Sequence, residues 1–195
     1  MGQIAWSDTR AAVRTDLSAM CEGQHVRTLT IVLRMLLHAR WRAVVAFRLA
    51  QWLIGYRFGK PFALLLTDRI LAASGAELQP TSRVGPGLVL KHTTGLVLGG
   101  RVIAGERLTL HQNVTLGDRH PYGGHPRLGD DVTIGVGAVV LGPIEVGSRV
   151  TIAAGAVVLQ DVPSDSLVAG VPARIVRRLT PVDATLESSD SAVRS

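Results

Sequence analysis

The chain has 195 residues, enough for one ordinary domain or for a small helical segment joined to a larger domain. Hydrophobic residues make up 47% of it but aromatic residues only 4%, and with 21 glycines this composition favours many small aliphatic layers over one aromatic-rich core. The single cysteine, Cys21, excludes an intramolecular disulfide, and no segment resembles a signal peptide, so a cytoplasmic protein is expected.

The net charge of +6 arises in the first part of the chain. Residues 1–76 hold 10 Lys and Arg against 4 Asp and Glu, whereas residues 77–195 hold 11 of each. Basic side chains interrupt the apolar stretch 29–54, which argues against a membrane span. They favour a solvated helical face or peripheral contact with a membrane surface, whereas the absence of an aromatic-studded basic patch argues against a nucleic-acid partner. These residues are Arg34, His38, Arg40, Arg42 and Arg48.

Residues 1–76 are expected to form a small α-helical segment. Ser7 and Asp8 are candidate caps of a first short helix. Apolar periodicity over about 26–56 predicts one or two longer helices. A last helix is predicted over about 62–73, and Gly75 should end it.

From residue 77 onward an aliphatic residue returns every sixth position. A period of six matches neither an α-helix nor a simple strand, but it is a known repeat of parallel β-helices. Three hexapeptides would close a triangular coil of about 18 residues, with the aliphatic residues stacked inside. The glycines that follow several of them should lie at corners where φ is positive, as at Gly129, Gly135 and Gly147. The repeated positions are Leu78, Val84, Leu90, Leu96, Val102, Leu108 and Val114, then Leu128, Ile134, Val140, Val146, Ile152 and Val158.

The repeat is interrupted between Val114 and Leu128, where residues 117–126 carry two His-Pro pairs. A loop must leave the coil there. Polar loops on a rigid scaffold often carry function, so His120 and His125 are candidate site residues.

Four segments of the repeat region resemble the serine acetyltransferase branch of the hexapeptide acyltransferases. They are Leu-Lys-His-Thr-Thr-Gly at 90–95, Asn-Val-Thr-Leu-Gly at 113–117, Leu-Gly-Pro-Ile-Glu-Val-Gly at 141–147 and Ala-Gly-Val-Pro-Ala-Arg-Ile-Val at 169–176. The resemblance covers about residues 77–178 and implies a left-handed parallel β-helix, acetyl-CoA as acyl donor, no metal and a homotrimer. Fainter similarity in the helical segment points to exopolysaccharide-associated members. Residues 179–195 are rich in Ser and Asp and are expected to be disordered.

The resemblance also implies roles for single residues. An alcohol needs a base when it attacks a thioester, and His92 matches the general base of the family. Glu77 stands where the family has the Asp that orients this histidine. His111 departs from the family pattern and is expected to be an ordinary surface residue.

Acceptor and donor contacts are expected elsewhere in the repeat. Either His125 or His120 matches the substrate-binding His-Pro pair of the family, His125 being favoured, and Arg119 or Arg127 is suited to an acceptor carboxylate or phosphate. The pantetheine of acetyl-CoA should meet backbone groups around Gly137, Ala138, Gly155 and Ala156, and its phosphates should lie near Arg174 or Arg177.

Lys91 is a departure from true serine acetyltransferases, which have an Asp immediately before the catalytic histidine. The resemblance implies that this Asp contacts the serine ammonium. The reversed charge should penalise serine. The favoured acceptor is therefore a sugar hydroxyl of a surface polysaccharide or of its lipid-linked precursor, bound by Lys91 and the loop, with serine as the alternative.

Two further alternatives keep the repeat. One is a γ-type carbonic anhydrase, with zinc held by His120, His125 and either His92 or His111. The other is a scaffold without catalytic activity, which would bind CoA without turnover.

Overall fold

The computed structural model describes residues 4–21, 37–120 and 123–179. Within these residues, three helices with both ends described precede the β-structure: α1 (Trp6–Met20), α2 (Ala39–Leu53) and α3 (Lys60–Ser74). The predicted end of the last helix is confirmed, because Gly75 follows α3 with a left-handed φ of 68°. Parts of two sequence predictions, the helical stretch from residue 26 to 36 and the disordered tail from 180, lie outside the described residues.

The predicted cap of α1 is wrong. The residue before the helix is Ala5, which makes no side-chain capping bond, and the helix begins at Trp6. Ser7 and Asp8 lie inside the first turn, where the Ser7 hydroxyl donates to the Asp8 carboxylate at 3.2 Å. A carboxylate in the first turn still stabilises the helix, because it faces the positive end of the helix dipole.

Residues 77–178 form a parallel β-helix whose short strands belong to three sheets. Sheet A contains β1 (Glu77–Leu78), β4 (Val97–Leu98), β7 (Thr115–Gly117), β10 (Val139–Leu141) and β13 (Val157–Val158). Sheet B contains β2 (Arg83–Val84), β5 (Ile103–Ala104), β8 (Arg127–Leu128) and β11 (Glu145–Val146). Sheet C contains β3 (Val89–Leu90), β6 (Thr109–Leu110), β9 (Thr133–Ile134), β12 (Val150–Ile152), β14 (Ser166–Gly170) and, antiparallel to β14, β15 (Ala173–Arg178).

Two side chains of each hexapeptide point into the core, two residues apart. Leu96 and Leu98, like Leu108 and Leu110, are fully buried pairs of this kind. The series from Leu78 to Val114 therefore does not follow one inward position. Up to Leu90 it follows the second inward position of each hexapeptide, and from Leu96 onward it follows the first. Strand pairing reveals the change, since Leu78 pairs with Leu98, twenty residues on rather than eighteen.

The glycines after the aliphatic positions differ from the prediction. Gly129, Gly135 and Gly147 are not among the positive-φ glycines. They are required by close packing between coils, since a Cβ on Gly147 would lie 2.4 Å from the backbone nitrogen of Ser164. Left-handed corners occur instead at glycines such as Gly137 and at polar residues such as Asn113.

A buried ion pair joins the helices to the first coil. Arg48 of α2 is 4% exposed, so the expectation that it lies on a basic helix surface is wrong. Its guanidinium donates to the Asp16 carboxylate of α1 at 2.8 and 3.1 Å and to the carbonyl oxygens of Val84 and Gly85. The Asp16 carboxylate also accepts from the backbone N–H groups of Gly87 and Leu88. These bonds fix α1 and α2 against the same coil.

In the described part of the chain no helix is long and apolar enough to cross a membrane.

Candidate active site

His92 lies on a two-residue insertion at the corner between sheets C and A. The corners of successive coils stack through backbone bonds, from Gly95 N–H to the Gly75 carbonyl and from Asn113 N–H to the Thr94 carbonyl. In this alignment His92 and Thr93 have no counterparts in the coils above. Thr93 is 8% exposed and anchors the insertion, whereas His92 is exposed. The candidate base therefore projects from the solenoid into solvent.

A line of small residues continues from His92 along this corner, which we call the C/A edge. The strand pairing of sheet C puts Lys91 and His111 at the bottom of one outward row and glycine and alanine above them. At about 4.8 Å between neighbouring strands, the row spans roughly 19 Å. The order is Lys91, His111, Gly135, Ala153 and Ala169.

The predicted donor contacts lie on the same edge. A Cβ at Gly137 or Gly155 would meet no atom within 4 Å, so the edge is open at both coils. The backbone N–H groups of Gly137, Ala138, Gly155 and Ala156 already donate within the β-helix. Ala138 and Ala156 are fully buried, so they present no side chain. Any further hydrogen bond from these four residues to pantetheine would therefore use their backbone carbonyl oxygens as acceptors.

Arg174 lies at the upper end of the C/A edge, because β15 pairs it with Ala169. Its side chain is exposed, as a phosphate ligand requires. Arg177 pairs with Leu167 farther along β15, away from the corner. Of the two predicted phosphate ligands, Arg174 is the better placed.

Glu77 begins sheet A at the bottom of the β-helix. Its carboxylate accepts a hydrogen bond from the Gln79 amide at 2.8 Å. Within the described residues no hydrogen bond joins Glu77 to His92, so its orienting role stays a prediction.

Sequence reasoning missed His111 and Gln112, which the fold brings close to the candidate base. His111 is half-buried beside Lys91, contrary to its expected place as an ordinary surface residue. Burial lowers the pKa of His111, and the positive charges of Lys91 and His92 lower it further. The Gln112 side-chain oxygen is buried without a hydrogen-bond partner in the described structure. Of the two side chains, His111 is the one that remains partly exposed beside the candidate base.

We expect Lys91→Gln to raise the pKa of His111, because the substitution removes the adjacent positive charge that disfavours the imidazolium. NMR titration of the His111 ring protons measures the change. Arg83→Gln, on the outer surface of sheet B, is the matched control and should leave the His111 titration unchanged. Identical titrations in the Lys91→Gln variant and the wild type would contradict the described proximity.

His125 lies at a different corner, between sheets A and B, which we call the A/B edge. A Cβ on Gly99 would be 2.8 Å from the His125 ring, so the imidazole packs directly on that glycine. Its Nδ1 is buried and has no hydrogen-bond partner in the part of the chain that is described. Burial lowers the pKa of His125; the Asp118 carboxylate opposes this shift and Arg101 adds to it.

The other predicted acceptor residues are scattered. Arg119 and His120 are exposed in the loop at the A/B edge. Arg127 is on β8, where sheet B pairs it with Glu145 of the next coil. Within one chain, at least the width of sheet A therefore lies between these side chains and His92. This width is on the order of 15–20 Å for a face of six residues.

The carbonic anhydrase alternative gains no support. Among residues 4–21, 37–120 and 123–179 there is no group of three His, Cys, Asp or Glu side chains that could hold a metal ion.

Comparisons with known proteins agree with the hexapeptide repeat that the fold shows. The family described as bacterial transferase hexapeptide (six repeats) matches residues 125–160. Serine acetyltransferase 4 of Arabidopsis thaliana is 35% identical over 96 residues, which cover 44% of this chain and 26% of the plant protein. The chain therefore spans about a quarter of the length of that curated relative.

Solved structures extend the likeness to the helices. The serine acetyltransferase of Brucella abortus in complex with coenzyme A has a TM-score of 0.80 at 35% identity, covering 90% of this chain and 70% of that one. The Neisseria gonorrhoeae enzyme in complex with serine has a TM-score of 0.78 at 34% identity, covering 88% and 70%. The chain belongs to the serine acetyltransferase family. None of these relatives is named for a polysaccharide, so the expected exopolysaccharide-associated type has no support from them.

Proposed function

We propose that the chain is an acetyl-CoA-dependent O-acetyltransferase whose active site is the C/A edge. The observation that carries the proposal is the position of His92, exposed on an inserted corner at the foot of an open edge that ends at Arg174. One solved relative is described as a complex with coenzyme A. The small residues along the edge leave room for a long, narrow donor.

In the proposed reaction the acceptor hydroxyl attacks the acetyl carbonyl carbon while the His92 imidazole takes the hydroxyl proton. The new carbon–oxygen bond forms and the carbon–sulfur bond of the thioester breaks. The proton then passes from the imidazolium to the departing thiolate, which leaves as free CoA thiol. His92 returns to its neutral form, so the proton balance closes without a metal.

A homotrimer would complete this site. His125 and Arg119 lie at the A/B edge, too far from His92 to share an acceptor with it within one chain. The outer surface of sheet A is largely aliphatic, with Val97, Val139 and Leu141 half-buried in the single chain, whereas sheet B carries charged residues there. Packing sheet A against a neighbouring copy would bury this surface and bring the A/B edge of one copy to the C/A edge of another.

L-serine is the acceptor that the relatives favour, since they are serine acetyltransferases and one is described in complex with serine. A sugar hydroxyl of a surface polysaccharide or its precursor is the second candidate, and Lys91 is the observation that favours it. Lys91 and His111 surround His92 with groups that are basic or neutral, a poor setting for a serine ammonium.

Release of free thiol from acetyl-CoA, measured with L-serine and with candidate glycans, tests both acceptors. We expect Lys91→Asp to raise kcat/KM for serine by more than tenfold, because two charges about 4 Å apart interact by about 4 kcal/mol at an effective dielectric of ~20, and solvent screening reduces that value. Lys91→Gln is the control that removes the charge without adding an acid, and it should give an intermediate rate. Efficient serine turnover by the wild type, unchanged in Lys91→Asp, would overturn the role of Lys91 and favour serine.

A further inference from the structure

The turn between α2 and α3 presents an unusual surface. Phe58 is 76% exposed and Phe62 is 62% exposed, and Tyr56 is 40% exposed beside them. Two basic residues, Arg57 and Lys60, alternate with these rings in the sequence. We call these five residues the aromatic tip. Side chains of this size are rarely left exposed together on a protein that has no partner for them.

Ring contacts connect the aromatic tip to α1 and α2. The Tyr56 ring lies 4.9 Å from the ring of Trp52, which in turn lies 4.9 Å from Trp6 of α1. The Arg57 guanidinium is 5.6 Å from the centre of the Phe58 ring. Leu65, 54% exposed, lies three residues beyond Phe62 on the same helix face and extends the apolar surface.

Charge decides what covers this surface. From residue 52 to 67 the sequence contains Arg57 and Lys60 but no acidic residue; the first is Asp68. A second copy docked symmetrically would place one basic tip against another, which like-charge repulsion opposes. An anionic lipid surface offers the opposite charge together with an apolar layer for the rings. Phenylalanine and tyrosine flanked by basic residues suit the headgroup region, where the rings enter and the charges stay in water.

We propose that the aromatic tip docks the protein on an anionic membrane surface, with Phe58 and Phe62 inserted at the headgroup level and Arg57 and Lys60 on lipid phosphates. The interaction is peripheral. It is independent of the acetyl-transfer proposal.

Co-sedimentation of the full chain with lipid vesicles tests the proposal, without acetyl-CoA or acceptor. Vesicles of phosphatidylcholine with phosphatidylglycerol should bind the wild type, and pure phosphatidylcholine vesicles should bind it far more weakly. Phe58→Ser combined with Phe62→Ser should lower the partition coefficient at least tenfold, since burial of one such ring contributes about 1.5–3 kcal/mol when complete. Lys60→Glu should lower it about fivefold or more, because each basic residue near such a surface contributes about 1 kcal/mol.

Val176→Ser is the matched control, because Val176 is 64% exposed on β15, outside the tip. It should bind vesicles like the wild type. Equal binding to neutral and anionic vesicles, no binding to either, or unchanged binding of the Phe58/Phe62 variant would each overturn the proposal. Sedimentation equilibrium adds a separate check: a smaller oligomer in the Phe58/Phe62 variant than in the wild type would identify the tip as a contact between copies and also overturn it.

Discussion

Replacement of His92 by alanine is expected to lower the rate of acetyl transfer by about 10² to 10⁴-fold, the usual contribution of a general base. The His92 side chain lies on the inserted corner of the C/A edge, and it projects into solvent rather than into the core. Its removal leaves the core unchanged, so the variant should fold normally. The initial rate of thiol release from acetyl-CoA, with whichever acceptor the wild type uses, measures the effect.

His38→Ala provides the control for this result. His38 is also an exposed histidine, but it precedes α2 and lies outside the β-helix. The control should retain wild-type turnover, and circular dichroism and sedimentation should match for all three proteins. Full activity of the His92 variant would remove the proposed mechanism. Loss of activity together with loss of assembly would point to a structural role of the inserted corner.

The fold followed from the sequence because a β-helix repeats its inward positions at short range. Each hexapeptide carries two such positions, and this is also why the two-residue insertion escaped notice. The period of six predicts that Leu96 is equivalent to Leu90 and Leu78. Strand pairing instead puts Leu98 beside Leu78 and Leu110 beside Leu90. The insertion is therefore visible only through pairing between coils.

The site was less accessible from the sequence. His92 was found through a family resemblance, whereas His111 and Gln112 came next to it through the pairing of β3 with β6, twenty residues apart. Coil lengths vary, since Thr109 pairs with Thr133 at a distance of 24 residues. No fixed spacing could have linked these residues. The sequence also placed His125 in one site with His92, whereas within one chain the two residues lie at different edges, so the proposed common site requires an assembly that a repeat pattern does not encode.

The helices pose a different problem, because a charge pattern cannot distinguish a solvated arginine from a buried one. Arg48 sits among apolar residues of α2, like the basic residues near it in sequence. The structure makes it the centre of a buried cluster with Asp16 and Gln51, in which its guanidinium makes five hydrogen bonds. Gln51 in turn donates to the Ser82 carbonyl. The partners come from α1, α2 and the first coil, so no single stretch of sequence reveals them.

Asp16→Asn is therefore expected to destabilise the protein by about 3 to 5 kcal/mol, the usual cost of removing one partner from a buried ion pair. The amide keeps the shape of the carboxylate but leaves the Arg48 charge uncompensated at a site where the Asp16 side chain is 0% and that of Arg48 5% exposed. In the native protein Asp16 Oδ1 accepts hydrogen bonds from Arg48, Gly87 and Leu88. An amide NH₂ group at that position would face these N–H donors and could not accept from them. The midpoint of urea unfolding, followed by circular dichroism, measures the loss.

Asp165→Asn is the matched control, since Asp165 also pairs with an arginine, Arg149, but at 2.6 Å on the surface, with both side chains about half exposed. Water screens that pair, so its loss should shift the midpoint far less. The double variant Asp16→Leu with Arg48→Met removes both charges but leaves the buried N–H groups of Gly87 and Leu88 without their acceptor, so it should also destabilise the protein far more than Asp165→Asn. Equal midpoints for Asp16→Asn and Asp165→Asn would show that the helices are held to the first coil by apolar packing rather than by this cluster.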